Sequence, residues 1–161
     1  MFREDKFKAL VLYIGNSPFV NNLGITKLWK LIYFIDAAAL RVLGNSVTGS
    51  DFIKYEHGPV PGKGEKIIKR MRTNGEVEVI QENHHTFRIN RIIAKIDIQD
   101  DIFSLEEISL IDEILQNYGQ QTASYLSELS HREPAWHYAE SLQKLEHTLM
   151  LYGSEEDPDG L

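Results

Sequence analysis

The chain has 161 residues, of which 42% are hydrophobic and 25% are charged, and this is the size and composition of one globular domain. It contains no cysteine, which excludes disulfides, cysteine-based zinc sites and thiol chemistry. The net charge of −7 combines +6 over residues 1–95 (15 Lys and Arg against 9 Asp and Glu) with −13 over residues 96–161 (2 against 15).

The first two predicted elements are helices. Residues 5–13 place apolar side chains at helical spacing, and the turn-forming residues 15–18 end that helix. Thr26 is a plausible N-cap for a second helix, which is apolar almost all round from residue 28 to residue 43 and ends at Gly44. A helix that is apolar on every side is buried among other elements.

A membrane or secreted location is disfavoured by charge. The N-terminus is acidic where a secretory signal has basic residues followed by apolar ones. The apolar stretch 28–43 is too short to span a bilayer, and Lys30, Asp36 and Arg41 interrupt it. We therefore expect a cytoplasmic protein without membrane contact.

The middle of the chain carries the β pattern. Residues 52–57 alternate as a short strand, and Gly58 and Pro59 are expected to halt it. Residues 64–72 read as a basic helix, followed by a β-hairpin over residues 77–89 with its turn near Asn83. Alternating apolar residues over 92–98 are a candidate for a further strand.

The C-terminal third is predicted to be helical. Ser104 opens a capping box with Glu107, and Gly119 ends that helix. Its predicted inward face consists of Leu105, Ile108, Ile111, Leu115 and Tyr118. A shorter helix with inward Leu126 and Leu129 follows, and Pro134 is suited to the first position of a last helix. The apolar face expected of that last helix comprises Trp136, Leu142, Leu145 and Leu149.

These elements predict a mainly helical α+β fold. About six helices surround a small antiparallel sheet or hairpin inserted in the middle, over roughly residues 52–98. The prediction is one domain over residues 1–152, followed by an acidic tail, 153–161, that is expected to be disordered.

Signals of catalysis are weak. No two histidines have the spacing of three or four residues that a helical metal pair needs, so no metal and no cofactor is predicted. The Gly62–Gly64 segment lacks the rest of a phosphate-binding loop. Asp36 in the apolar helix favours a structural carboxylate that holds a loop, over an acid-base residue. An enzyme assembled from Asp36, His57 and His131 remains a hypothesis.

A basic helix provides a second hypothesis, a nucleic-acid-binding regulator. Clustered cations neutralise phosphates, and the candidates are Lys63, Lys66, Lys69, Arg70 and Arg72. The acidic chain as a whole makes a solvated helix face the favoured interpretation. The division of charge likewise favours two solvated or mutually attracting faces over a surface for a charged partner.

Three motifs occur in a fixed order along the chain. They read LWKLIYFID over residues 28–36, VTGSDFIKYEHGPVP over residues 47–61 and YLSELSHREPAW over residues 125–136. This arrangement resembles the Panacea domain, the SocA-like antitoxin family of bacteria and phages. The likeness runs from the first helix to about Tyr152.

The resemblance implies a protein-binding function and no enzyme activity. Members of that family neutralise the toxin of a neighbouring gene by direct contact, and at least one delivers its toxin to a protease. Some relatives carry extra DNA-binding segments, for which this chain is too short. A phage or mobile-element protein of another function is a further alternative. The partner-binding candidates that the motifs imply are Tyr33, Asp36, Thr48, Gly49, Tyr55, His57, Gly58, Pro59, Pro61, His131, Pro134 and Trp136.

The residues alone assign two kinds of role to these candidates. Glycines and prolines in the second motif make a rigid loop, which lowers the ordering cost of binding a partner. For Gly58, Pro59 and Asp36 the favoured role is structural, whereas for Tyr55, His57 and the nearby basic helix both roles stay open. Trp136 is expected in the core.

Overall fold

A computed structural model describes residues 1–99 and 101–153. The helices are α1 (Glu4–Asn16), α2 (Ile25–Leu43), α3 (Gly64–Thr73), α4 (Leu105–Tyr118), α5 (Ala123–His131), α6 (Pro134–His137) and a 3-10 helix (His147–Leu151). The strands are β1 (Phe52–Tyr55), β2 (Gly58–Pro61), β3 (Val77–Asn83) and β4 (Arg88–Ala94). The predicted mainly helical α+β class is confirmed. The predicted tail lies outside the described residues, apart from Gly153.

Helix α2 is the centre of the molecule, in agreement with its apolar sequence. It is buried along most of its length and packs against α4, α5 and β2. Gly44 ends it in the left-handed conformation (φ +85°), with its N–H bonded to the Leu40 carbonyl. The prediction of Thr26 as N-cap is wrong because the cap position is Gly24, two residues earlier. A Cβ at Gly24 would lie 2.9 Å from Ile89, so glycine suits this packed start.

The buried apolar residues form one cluster that extends from Phe7 in α1 to Met150 in the 3-10 helix. At its middle the Tyr33 ring packs edge-on against Phe52, with 5.3 Å between centroids, and so joins α2 to β1. In the described part of the chain, no helix combines the length and the apolar character needed to cross a membrane.

Strands β1 and β2 form a tight antiparallel hairpin: β1 ends before Gly58 as expected, but Gly58 and Pro59 themselves belong to a second strand that was not predicted. The register pairs Ile53 with Val60 and Lys54 with Pro59. Alternate residues of an antiparallel pair exchange no hydrogen bonds across the ladder. The prolines occupy such positions, because Lys54 directs its N–H away from β2, to the carbonyl of Gln143. The proline at residue 59 therefore removes no bond from the hairpin.

Strands β3 and β4 form the predicted second hairpin, with register from Val77↔Ala94 to Asn83↔Arg88. The candidate strand over residues 92–98 is wrong beyond Ala94. Strand β3 begins at Val77, opposite Ala94, so residues 96–98 have no strand of this hairpin to pair with.

Helix α4 has the predicted capping box. Ser104 Oγ accepts from the Glu107 N–H at 3.1 Å, and the Glu107 carboxylate accepts from the Ser104 N–H at 3.0 Å. Ile111 and Leu115 are buried as expected, but Leu105 is 82% exposed. The predicted inward face extends one residue too far, because Leu105 is the first residue of the helix and points to solvent.

The predicted last helix is mostly absent. Pro134 does occupy its first turn, yet α6 ends at His137, and Leu142 is 62% exposed with φ +64°. Residues 142–145 instead run antiparallel to β1, with a bridge between Ile53 and Lys144. Backbone pairing with β1 overrides the helical spacing of the leucines, of which Leu145 is still buried.

Candidate functional site

A first cluster joins the middle of α2 to the loop that follows it. The fully buried Asp36 carboxylate accepts from the N–H groups of Val47 (2.9 Å) and Thr48 (3.0 Å) and from the Thr48 hydroxyl. Thr48 Oγ1 also lies 2.7 Å from Ser50 Oγ. Burial raises the pKa of Asp36 to about 6, and these hydrogen bonds oppose the rise because they stabilise the charged form. Asp36 therefore holds the loop in place.

A second cluster ties α2 to the junction between α5 and α6. Glu133 is 3% exposed, and its Oε1 accepts from Arg41 Nη2 at 2.7 Å and from the Tyr33 hydroxyl at 3.4 Å. Burial raises the pKa of Glu133, while the Arg41 charge opposes the rise. Arg41 also donates to the carbonyls of Met150 and Tyr152, each at 2.8 Å. One guanidinium thus fastens three segments together.

A third cluster lies beneath β2. Lys30 is 1% exposed, and its Nζ donates to the Pro59 carbonyl at 3.2 Å. Burial lowers the pKa of Lys30 to about 8. Gly58 has φ +121°, and a Cβ there would lie 2.5 Å from both Lys30 Cε and Ser130 Oγ. The hairpin can reach this position only because residue 58 has no side chain.

Above these clusters, motif side chains meet solvent. The half-buried Trp136 ring stacks on His131 with centroids 4.1 Å apart, and its indole N–H donates to the Tyr55 carbonyl at 3.0 Å. Lys54 Nζ lies 4.2 Å from the Trp136 ring centroid. The Tyr55 side chain is 46% exposed, and His57 is exposed in the turn of the hairpin. We call these five residues the Trp136 surface.

The surroundings of His131 favour its neutral form. Burial lowers its pKa, nearby Lys30 and His57 lower it further, and a backbone hydrogen bond with Glu56 opposes the change. Its Nε2 is buried and has no hydrogen-bond partner among the described residues. The ring therefore serves as a flat stacking partner for Trp136.

The sequence model of one known family, Antitoxin SocA-like, Panacea domain, matches residues 28–137. This chain belongs to that family. The resemblance seen in the motifs is thereby confirmed. Neither the curated proteins nor the solved structures contain a significant match to this chain. The matched range begins in α2 and ends in α6, so the Panacea domain includes the Trp136 surface and the side chains of Asp36, Glu133 and Lys30.

The twelve Panacea-motif candidates divide into an inner and an outer set. Seven are buried, namely Tyr33, Asp36, Thr48, Gly58, Pro59, Pro61 and Pro134. Gly49 has φ +69°, and a Cβ there would lie 2.1 Å from the Met1 carbonyl oxygen. The absence of a side chain at Gly49 therefore allows the backbone of Met1 to lie close to it. The side chains of Tyr55, His57, His131 and Trp136 reach solvent. Trp136 is half-buried and packs against the core, so its expected place in the core is observed in part.

Sequence reasoning missed several residues that hold the Panacea domain together. In the sequence, Lys30 and Arg41 stand out only as interruptions of an apolar stretch, and no pattern singles out Glu133, Ser130 or Lys54. Charged residues within an otherwise buried helix are the available signal, since such groups require partners. The partners themselves are distant in sequence and cannot be named from it.

The structure gives the enzyme hypothesis no support. Asp36 is bonded to Val47 and Thr48, whereas His57 lies in the exposed turn and His131 stacks on Trp136. These three residues therefore do not form one acid-base site. Over residues 1–99 and 101–153, no group of three or more His, Asp or Glu side chains could hold a metal ion.

The basic helix α3 has part of its charge satisfied within the chain. Three of its five candidate cations have such partners: Lys63 over the Phe2 ring (4.8 Å), Lys69 with Glu65 (3.9 Å) and Arg70 with Glu4 (2.6 Å). Lys66 and Arg72 are exposed. These contacts make α3 a mixed, solvated face, which favours the solvated interpretation of this helix over nucleic-acid binding.

Two buried lysines make the stability of the protein vary with pH in the alkaline range. Burial lowers the pKa of Lys30, and also that of Lys27, to about 8. In the unfolded chain both stay protonated up to about pH 10.4, so between pH 8 and 10 the unfolded state binds more protons. We therefore expect the free energy of unfolding to rise over this interval, as measured by urea denaturation.

The replacement Lys30→Met should reduce that rise by about half, since one of the two lysines then no longer titrates. Lys66→Met, at an exposed position on α3, is the matched control and should leave the rise unchanged. Identical pH profiles for wild type and Lys30→Met would contradict the assignment.

Proposed function

We propose that this protein is an antitoxin that neutralises a neighbouring-gene toxin by direct contact, and that the Trp136 surface makes this contact. The observation that carries the proposal is the position of this surface, where side chains of the second and third Panacea motifs reach solvent together. The function is binding rather than catalysis, because these side chains form a packed aromatic patch instead of an acid-base site.

The composition of the Trp136 surface suits a protein partner. Trp and Tyr, together with Arg, are the residues that contribute most to binding at protein interfaces. Trp136 is already fixed by His131, Tyr55 and Lys54, so little side-chain entropy is lost on association. Further along the chain Tyr138 is 61% exposed and packs edge-on against His137, which adds a second aromatic group.

The proposal is tested by co-expressing the chain with the product of the adjacent open reading frame. We expect restored growth and a complex that co-purifies with unchanged toxin abundance, since masking does not consume the toxin. Restored growth with protease-dependent loss of the toxin would instead indicate delivery to a protease. A harmless neighbour and no complex would contradict the antitoxin function.

Replacing Tyr55 by Ala should weaken toxin binding about 10-fold or more, as titration calorimetry with the purified toxin would measure. Tyr55 is 46% exposed, so the loss arises at the interface more than in the fold. Leu105→Ala is the control, because Leu105 is a large apolar residue that is 82% exposed but lies on α4. Equal affinities for the two variants would place the interface elsewhere.

A further inference from the structure

Residues 138–152 follow the family-matched range, and residues 142–145 among them run along the edge of β1; we call residues 138–152 the C-terminal strap. Three backbone hydrogen bonds join the strap to β1. They run from Leu142 N to Lys54 O (2.8 Å), Lys54 N to Gln143 O (2.9 Å) and Leu145 N to Phe52 O (2.8 Å). Strand β1 is therefore hydrogen-bonded on both sides, with β2 along one edge and residues 142–145 of the strap along the other.

Three side chains give the strap its specificity. Leu145 is 3% exposed and fills a place in the core beside β1. The preceding Lys144 places its Nζ 3.1 Å from Asp51 Oδ2, and His147 Nε2 lies 3.0 Å from Asp51 Oδ1. The edge of β1 thus presents a row of backbone groups, an apolar recess and a carboxylate.

The two neighbours of β1 are held very differently. Strand β2 is fixed from below by the Lys30 ammonium at the Pro59 carbonyl and by the close packing at Gly58. The strap begins its pairing at Leu142, a 62% exposed residue with φ +64°, a conformation that disfavours a branched side chain. Release of residues 142–145 would relieve this strain and take Leu145, the one buried residue of the four, out of the core, while Arg41 still holds the carbonyls of Met150 and Tyr152. Release of β2 would leave the buried Lys30 ammonium without the Pro59 carbonyl.

We propose that the edge of β1 is a strand-binding site for an extended protein segment that carries a basic residue followed by a large aliphatic one. Residues 142–145 occupy this site in the unbound chain and must leave before a partner segment can add to β1. Asp51 selects the basic residue and the Leu145 recess selects the aliphatic one. The proposal rests on the proposed function and describes which segment of a partner would bind. Its test requires no toxin, so a failure of this proposal can be distinguished from a failure of the antitoxin function.

The test uses the full chain and a labelled synthetic peptide with the sequence of residues 140–152. In wild type the tethered strap competes at millimolar effective concentration, so the peptide binds weakly. The variant Lys144→Glu places a carboxylate against Asp51 and loosens the strap at an exposed position. We expect the peptide to bind this variant at least about 10-fold more tightly than it binds wild type, by fluorescence anisotropy.

Specificity provides the second arm. A peptide in which the residue equivalent to Leu145 is Ala should bind Lys144→Glu at least about 10-fold more weakly than the unchanged peptide. Lys66→Glu, the same charge change on α3, is the control protein and should behave as wild type. The proposal would be overturned if both peptides bound Lys144→Glu equally. It would also be overturned if the unchanged peptide bound wild type, Lys144→Glu and Lys66→Glu equally.

A disulfide lock gives an independent test in this cysteine-free chain. Ile53 and Lys144 are direct cross-strand partners, and such positions lie within reach of a disulfide. In the double variant Ile53→Cys, Lys144→Cys, the oxidised protein should exclude the peptide, and reduction should restore binding at least about 10-fold. Binding that is unaffected by oxidation would show that the peptide sits elsewhere and would overturn the proposal.

Discussion

Replacing Asp36 by Ala should lower the free energy of unfolding by about 4 kcal/mol, because three buried donors lose their acceptor. The Asp36 carboxylate accepts from two backbone N–H groups and one hydroxyl of residues 47 and 48. Each buried donor left unsatisfied costs about 1–3 kcal/mol, and a domain of this size has about 5–15 kcal/mol in total. Urea denaturation at pH 7 would measure the loss.

The variant Asp36→Asn is the matched control. Its oxygen can still accept from the N–H groups of Val47 and Thr48, and its amide can donate to the Thr48 hydroxyl, so we expect a loss of about 1 kcal/mol. A loss as large as that of Asp36→Ala would show that the charge, rather than the hydrogen bonds, holds the loop.

Wild type and Asp36→Asn should also differ in their dependence on pH. The pKa of Asp36 is about 6 in the folded protein against an ordinary value of 3.8, so between pH 4 and 6 the folded state binds more protons. The contribution of Asp36 to stability therefore falls as pH rises through this interval. Asp36→Asn lacks that contribution, so the stability of wild type relative to the variant should decrease from pH 4 to pH 6.

Replacing Gly58 by Ala should lower the free energy of unfolding by about 3 kcal/mol, from strained backbone and overpacking together. A Cβ at residue 58 would lie 2.5 Å from Lys30 Cε and from Ser130 Oγ, and φ there is +121°. Moving the hairpin outward to relieve the clash would lengthen the bond from Lys30 to Pro59. Urea denaturation would measure the change.

Gly75→Ala is the matched control, because Gly75 has φ +74° but no neighbouring atom within 4 Å of the place where a Cβ would lie. It should cost only the backbone strain, about 1 kcal/mol. Equal losses for the two variants would show that packing against Lys30 and Ser130 contributes nothing. The difference between them combines the contact that positions the hairpin beneath the Trp136 surface with the larger backbone strain of a side chain at φ +121°.

Both substitutions act on the frame of the Panacea domain rather than on the surface that we propose binds the toxin. Asp36 and Gly58 are buried, whereas Tyr55 and His57 reach solvent on the hairpin β1–β2. Those Gly58→Ala molecules that remain folded should therefore lose affinity for the toxin because the hairpin is displaced. Tyr55→Ala should lose affinity for the toxin with the fold intact.

Much of the secondary structure can be predicted because its signals are local. Helix α2 follows from a stretch that is apolar on all sides, and the start of α4 follows from the capping box at Ser104. The hairpin β3–β4 follows from alternation on both sides of a turn near Asn83. In each case the residues that make the decisive contacts are close together in the chain.

The errors concern elements whose partners are distant in sequence. Strand β1 ends before Pro59 as expected, yet Pro59 lies in a second strand that was not predicted. The proline can pair with β1 because Lys54 bonds to Gln143 instead of to the proline. The leucines after Trp136 have helical spacing, yet Leu145 belongs to an extended segment on the edge of β1. Local propensity is a weak influence, and backbone pairing with a neighbouring strand outweighs it.

The fold class, the family and the identity of the motif residues all follow from residue order and local spacing. The division of those motif residues into a buried frame and an exposed surface does not, and it emerges when distant segments pack together. Asp36 and Gly58 belong to the frame because the loop at Thr48 and the buried Lys30 meet them from elsewhere in the chain. Burial is a property of long-range packing, and spacing along the chain does not encode it.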